Sequence, residues 1–267
     1  MRDMNLEEER ERIASFIKVG IVVLTVIAVF GLGINYMPDA VSVSSGKNKK
    51  LPIYCVDTDK KQVSLSFDAA WGNEQTQGIL DCLSKYGIKV TFFTTGGWVE
   101  KYPEDVKNII AAGHDFGNHS EKHKQMSTIS KEECLTEIQT PHEKVKELTG
   151  YEMTLFRPPY GDYNNTLIET TTELGYHCIQ WDVDSLDWKD YDATTIVNRI
   201  LGDKHLGNGS IILMHNGGKH TLEALPAIIE GLQAKGYEIV PISQLIYKEN
   251  YEMDHEGNIK NKKKEAE

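Results

Sequence analysis

Between Val63 and Ile246 the chain repeats one rhythm: an amphipathic stretch of helix length, a glycine, then a short β-rich run. Tyr86-Gly87-Ile88-Lys89-Val90-Thr91-Phe92-Phe93 is one instance and Ala112-Gly113-His114-Asp115-Phe116 another. Thr149-Gly150-Tyr151 leading to Leu155-Phe156, Leu174-Gly175-Tyr176, and Lys235-Gly236-Tyr237 continue it. A glycine just past a helix takes the left-handed conformation that ends the helix at little steric penalty. Strands alternating with helices of this length form parallel β-α units. The pattern predicts about seven strands, at Val63–Phe67, Val90–Phe93, His114–Gly117, Leu155–Phe156, His177–Trp181, Ser210–Met214 and Glu238–Val240. An irregular barrel and a doubly wound sheet both fit it.

The polar residues at the ends of these runs carry more information. Asp68 closes the first strand, His119 follows the third and Arg157 the fourth; Asp182 and Asp184 follow the fifth, and His215 ends the sixth. In parallel β-α folds the C-terminal strand ends share one rim, where ligands bind. Any one of these residues is compatible with an ordinary loop; six on one rim predict a site. His119 and His123, four residues apart, are expected on one face of a helical turn. At that spacing two neutral imidazoles can hold one zinc-like divalent ion and leave positions for a carboxylate and water.

Outside the repeat, residues Val19 to Ile34 are uninterrupted apolar, Gly and Thr. Extended to 13–36 the run admits Lys18 and small polar residues and reaches membrane-spanning length. A cleaved signal peptide is the rival, but Glu7-Glu8-Glu9-Arg10-Glu11-Arg12 is too acidic for its leading segment and no A-x-A site follows. The expectation is therefore an uncleaved anchor at 13–36, after a cytoplasmic tail at 1–12. Arg2, Arg10, Arg12 and Lys18 before the run face Lys47, Lys49 and Lys50 after it, so charge barely decides orientation. A linker and lead-in (37–60), a main domain (61–248) and a disordered, solvated tail (249–267) complete the expected layout. The net charge of −11, with no basic stripe, argues against nucleic acid as a partner. Four widely spaced cysteines form no C-x-x-C pair and are expected as free thiols.

Five segments occur in order: Ser66-Phe67-Asp68, His119-Ser120-Glu121-Lys122-His123, Arg157-Pro158-Pro159-Tyr160-Gly161, Asp184-Ser185-Leu186-Asp187-Trp188 and Leu213-Met214-His215. Together they resemble the polysaccharide deacetylase family, also called the NodB-homology domain or carbohydrate esterase family four, over roughly Val63 to Ile246. The resemblance implies an irregular (β/α) barrel of about seven parallel strands and metal-dependent hydrolysis of acetyl groups on glycans. Phe67-Asp68-Ala69-Ala70-Trp71-Gly72, behind one membrane anchor, is most similar to the sporulation branch, whose setting is peptidoglycan of wall or spore cortex. A glycan substrate and a membrane are thus the implied partners, with the catalytic domain outside the cell membrane.

By position, the resemblance assigns the divalent metal, commonly zinc, to His119 and His123. It makes Asp68 the general base, with Arg157 keeping it charged, and the backbone N–H of Tyr160 an oxyanion donor. It makes His215 the general acid, supported as imidazolium by Asp184, and gives Leu213 and Trp188 the acetyl-methyl wall. Trp71 joins the substrate groove. One position departs from the family pattern: Ala69 stands where a second carboxylate normally supplies the third metal ligand. Solvent, or a side chain such as Asn73 or Glu74, is left to fill that place. The resulting alternative is a catalytically impaired, glycan-binding wall protein.

Overall fold

The computed structural model describes residues 49–262. The expected tail at 1–12, the anchor at 13–36 and most of the linker lie outside the described residues. Among the described residues no helix is long and apolar enough to cross a membrane.

A lead-in strand, β1 (Cys55–Asp57), precedes the long central strand β2 (Gln62–Ala69). On β2, Val63, Leu65, Phe67 and Ala69 point into the core beneath the helices, while Ser64, Ser66 and Asp68 face the other way. The serine hydroxyls on that second face are satisfied by neighbouring carbonyls, Ser64 donating to Val240 (2.6 Å) and Ser66 to Ile212 (2.7 Å). Around β2 are arranged β3 (Thr91–Thr94), β4 (Asp115–Asn118), β5 (Leu155–Phe156), β6 (His177–Cys178), β7 (Val183–Asp184), β8 (Ile211–His215) and β9 (Glu238–Ile239). Every pair in this sheet is parallel, in the order β6-β5-β4-β3-β2-β8-β7, with β9 beside the start of β2. The sheet is an irregular barrel, left open between β6 and β7.

That sheet has one strand more than the sequence pattern predicts, because the expected run His177–Trp181 does not continue as one strand. The backbone N–H of Ile179 still donates to Phe156 of β5, that of Gln180 to Ile53, and that of Asp182 to Ile211 of β8. Within four residues the chain crosses the gap from one barrel edge to the other, and the strand must break to do so.

Eight helices are described: α1 (Thr76–Tyr86), α2 (Gly96–Lys101), α3 (Pro103–Ala111), α4 (Lys131–Thr149), α5 (Asn165–Glu173), α6 (Ala193–Leu201), α7 (Thr221–Ala234) and α8 (Ile242–Leu245). On α1, Thr76, Ile79, Leu80 and Leu83 form the buried stripe that a helical period requires. The helix ends at Gly87 (φ 67°), whose N–H returns to the Leu83 and Ser84 carbonyls. A reciprocal capping box of Ser130 and Glu133 starts α4, and Gly150 (φ 73°) ends it. Gly113, Gly175 and Gly236 also have positive φ, as the glycine punctuation predicts.

The tail does not fit the expectation of a disordered end from 249. Tyr251–Met253 (β10) and Asn258–Asn261 (β11) form a hairpin, and β11 pairs in parallel with β1. Asp254 holds the turn by accepting from the backbone of Glu256 and Asn258. The lead-in expected as part of a linker at 37–60 is therefore also structural from Ile53 onward. Composition hid this because a single fully buried side chain, Ile259, packs the hairpin against Ile53, Val56 and Ile211 at the base of the barrel. Truncating it to alanine should destabilise the protein by about 2–5 kcal/mol, the usual range for a buried Ile lost from a core. A urea midpoint unchanged in Ile259→Ala would show that the hairpin is not part of the cooperative unit.

Candidate active site

The strand ends converge on a cavity of about 700 Å³. Asp68, His119, His123, Tyr160, Asp184, Trp188, Leu213, His215 and Trp71 all line it, so nearly the whole expected set is brought together. Arg157 lies beneath, fully buried. Asp182 does not join them. It accepts from Ser210 Oγ (2.8 Å) and from the backbone of Ile211, at the opposite end of β8 from His215. Burial there pushes its carboxyl up to about 6.

Asp68 ends the inward face of β2, level with His215 on β8. Arg157 Nη1 donates to its Oδ1 at 2.7 Å, while Nη2 donates to Ser66 Oγ (2.9 Å) and the Gln180 carbonyl (3.2 Å). The guanidinium also lies 4.2 Å over the Phe93 ring. Burial alone would raise the Asp68 carboxyl; the charge of Arg157 first, then that of His215 and the Arg157 hydrogen bond, reverse that, holding it below the ordinary value and ionised.

The two histidines do not sit on a helix. Their loop is irregular, with Ser120 (φ 67°) and His123 (φ 55°) in the left-handed region. Each such residue costs about 1–3 kcal/mol and persists only where its surroundings over-determine it. Three side chains supply that here. Asn118 Oδ1 accepts from Ser120 N, and Ser120 Oγ from His123 N. Buried Glu137 of α4 accepts from Glu121 N (3.1 Å) and Lys122 N (2.8 Å) and pairs with Lys124. Glu137 escaped the sequence reading; a carboxylate on a helix otherwise rich in exposed charge gives no signal of its burial.

The loop nonetheless brings the His119 and His123 rings to 4.9 Å between centroids. His119 Nδ1 donates to the Arg157 carbonyl (2.7 Å), which leaves the Nε2 lone pair facing Asp68 Oδ2 at 3.5 Å. Two acceptors facing each other suit a cation between them. Burial lowers His119, and burial with the neighbouring His119 takes His123 down to about 4, so both rings are neutral, as metal ligands must be. His123 Nδ1 is buried without a hydrogen-bond partner.

The pair suits a divalent ion, but the donor set stops there. Among the described residues no group of three or more His, Cys, Asp and Glu side chains is placed to hold a metal. Ala69 is fully buried in apolar surroundings, and Thr94, level with it on β3, keeps a buried hydroxyl without a partner. Neither expected substitute takes the place. Asn73 is turned away to donate to Asp105 of α3 (2.7 Å), Glu74 folds over Gly72, and neither lines the cavity. The set is one short of the three protein ligands of a hydrolytic metal centre.

The partner of His215 is not the expected Asp184. Asp187 Oδ1 accepts from His215 Nδ1 at 2.7 Å, and its Oδ2 accepts from the His215 backbone (2.8 Å) and from Thr221 Oγ1 (2.6 Å). Asp184 instead accepts from Leu186 N (2.9 Å) and stays in the cavity wall. Both carboxylates lie in the same five-residue motif. The choice is made by a left-handed turn at Leu186 (φ 51°), which the one-dimensional pattern does not contain.

Tyr160 (φ 60°) presents its backbone at the cavity, and among the described residues no protein group accepts from its N–H. Trp71, Tyr160 and Trp188 are 66%, 64% and 57% exposed, unusual for large aromatics, and all border the opening. Trp71 (4.8 Å) and Tyr160 (4.5 Å) also pack their rings around His123.

Burial opposes charge on His215, but the Asp187 hydrogen bond and the charges of Asp187, Asp68 and Asp184 prevail and raise it above the ordinary histidine value. A group raised in the folded state contributes stability that is complete below about pH 6.5 and fades as pH rises through its folded midpoint. Asp187→Asn should therefore move the His215 imidazole titration, followed by NMR, to lower pH; a midpoint that stays put would mean Asp187 does not govern its charge.

The family model for polysaccharide deacetylase matches residues 56–179. The peptidoglycan-N-acetylmuramic acid deacetylase PdaC of Bacillus subtilis is 36% identical over 190 residues, 71% of this chain and 40% of that protein's length. A peptidoglycan-N-acetylglucosamine deacetylase of Bacillus cereus is 36% identical over 191 residues, 70% of this chain and 69% of that protein. Among solved structures, a family CE4 pseudoenzyme of Bacillus anthracis superposes with a TM-score of 0.71 at 32% identity, covering 74% of this chain and 69% of that one. A mutant of that pseudoenzyme with restored activity gives the same TM-score at 33% identity, covering 74% and 72%. With its open barrel and its ordered rim of Asp68, His119, His123, Arg157 and His215, this chain belongs to the polysaccharide deacetylase family.

Proposed function

We propose that the chain is a peptidoglycan N-deacetylase, hydrolysing the acetamide of N-acetyl amino sugars in wall or spore-cortex glycan. The observation that carries this reading is the pairing, across one cavity, of a carboxylate bonded to a buried guanidinium with a histidine whose hold on its proton a buried carboxylate strengthens. Asp68 and His215 are neighbours on adjacent strands, and each has its own buried counter-charge, Arg157 and Asp187. A site that only bound sugar would gain nothing from separating the two protonation states in this way.

In the reaction, Asp68 takes a proton from water as the oxygen attacks the acetamide carbonyl. The Tyr160 N–H donates to the developing oxyanion. Collapse breaks the C–N bond, His215 gives its proton to the departing amine, and acetate and a free amino sugar result. Leu213 and Trp188 enclose the methyl group. His119 and His123 would hold a divalent ion, zinc by ligand type, which would polarise the carbonyl and acidify bound water. With two protein ligands, such an ion exchanges readily. The apolar run at 13–36 would anchor the chain in the cell membrane, with this domain on the outer side where wall glycan lies.

A second reading, a glycan-binding protein without turnover, is favoured by Ala69 and by likeness to the Bacillus anthracis pseudoenzyme. Acetate release from peptidoglycan and from N-acetylglucosamine oligomers, with and without added zinc, separates the two. Turnover that needs metal and disappears in Asp68→Asn supports the enzyme. Ala69→Asp should then tighten zinc by about 10–100-fold or more, since even groups hydrogen-bonded to metal ligands matter on that scale. No acetate from either the native chain or Ala69→Asp, with glycan affinity that ignores His123→Ala, would sink the enzyme reading.

A further inference from the structure

In the proposed reaction the oxyanion donor is a backbone N–H, so its direction depends on the turn that carries it. Tyr160 and Gly161 are consecutive left-handed residues (φ 60° and 66°), and Pro158 and Pro159 before them have no N–H to donate. The turn keeps two hydrogen bonds of its own, from Gly161 N to the Pro158 carbonyl (3.1 Å) and from Asp162 N to that of Pro159 (3.0 Å). Its far end is tied down by Asp162, which accepts from Ser127 N (2.8 Å) and Ser127 Oγ (2.7 Å). These contacts fix where the turn ends, but none of them grips it at the strained pair.

Gln180 does. It is buried, and its Nε2 donates to the Gly161 carbonyl at 2.9 Å, the one side-chain hydrogen bond to the backbone of Tyr160 or Gly161 among the described residues. A Cβ on Gly161 would come within 3.3 Å of both terminal atoms of the Gln180 amide and 3.1 Å of the Trp181 ring, so the turn packs directly on these two side chains. The main chain of Gln180 is engaged as well. Its carbonyl accepts from Arg157 Nη2 (3.2 Å), and its N–H donates to the Ile53 carbonyl (2.7 Å). Ile53 N donates in turn to Cys178 (2.8 Å), so the lead-in segment clamps the chain on both sides of Ile179. Gln180 stands where the chain leaves one barrel edge for the other, and the broken strand leaves its carbonyl available to Arg157.

From this arrangement we infer that Gln180 is a positioning residue that ties the oxyanion donor to the base: its side chain sets the turn that aims the Tyr160 N–H, and its carbonyl orients the guanidinium that charges Asp68. The Gln180 amide touches no reacting atom and acts through the turn. A left-handed non-glycine residue persists only where its surroundings over-determine it. Without the Nε2 donor the Gly161 carbonyl loses its outside partner, and the Tyr160 N–H samples other directions. A donor stabilises developing charge only when it already points at it, and a misplacement of about 1 Å can cost about a hundredfold in rate.

The inference takes the role of the Tyr160 N–H from the deacetylase reading, but not the means by which the turn is held, so separate readouts test the two. Hydrogen exchange on the full chain, followed by mass spectrometry, would compare the native protein with Gln180→Met, which keeps the side chain's length and loses its donor. Exchange at the Gly161 and Asp162 amides should rise about five- to tenfold, the worth of one hydrogen bond, with β2 and α4 unchanged. Gln180→Leu repeats the comparison should methionine not be accommodated. In acetate release with added zinc, kcat should fall about 10–100-fold with KM within about twofold, the mark of an interaction made in the transition state. Unchanged exchange at the turn in both variants, exchange that rises equally throughout the barrel, or a KM that rises while kcat holds would overturn the inference. If neither the native chain nor Ala69→Asp releases acetate, the deacetylase reading fails, and the exchange result still decides whether Gln180 holds the turn.

Discussion

The buried ion pair of Arg157 and Asp68 is what the rest of the site depends on. Both groups lose their water, a penalty of several kcal/mol each that attraction offsets only when the remaining donors and acceptors are also satisfied. Arg157 comes close to meeting that condition: its two terminal nitrogens reach Asp68, Ser66 and Gln180, and Phe93 takes its face. Its own carbonyl fixes the tautomer of His119. One residue thus sets the charge of Asp68 and the direction of the His119 Nε2 lone pair. The alternation of β2 makes the pair possible by aiming Ser66 and Asp68 at the same face.

Around that pair the backbone is strained on purpose. Among the described residues, the non-glycine positions with positive φ are Ser120, His123, Tyr160, Leu186, Asp190 and Asn250, and all but Asn250 belong to loops bordering the cavity. Such strain survives because buried acceptors hold the loops. Glu137 and Asn118 hold the histidine loop, and Asp187 ties the segment after β7 to His215 of β8 through two hydrogen bonds and to Thr221 of α7 through a third. The rigid barrel supplies strand ends; side-chain carboxylates and amides behind the loops turn those ends into a constellation.

Ala69 sets this chain apart from that design without dismantling it. Asp68 and His215, their counter-charges and the paired imidazoles all remain, while among the described residues no third carboxylate or imidazole joins the histidine pair. Losing a ligand carboxylate also removes a negative neighbour of Asp68, which leaves Arg157 unopposed in keeping the base ionised. The consequence falls on metal affinity more than on proton transfer. That separation makes family members with and without turnover hard to tell apart by overall superposition.

Much of the architecture was legible in one dimension. The glycine-punctuated β-α rhythm specified parallel strands, because helix ends and strand periods are local properties. The ordered polar residues specified a rim, because parallel strands put their C-terminal ends together. Local pattern failed where a distant partner decided the outcome. Residues 177–182 change barrel edge to satisfy Ile53 and Ile211, and Ile259 orders a tail whose composition reads as solvated. The histidine pair has helical spacing but takes an irregular loop held by Glu137. Asp184 and Asp187 are indistinguishable as letters; a left-handed turn at Leu186 gives one to the cavity and the other to His215. Sequence determined which chemical groups the site contains, and tertiary structure decided which of them face each other, because charge pairing and burial act through space rather than along the chain.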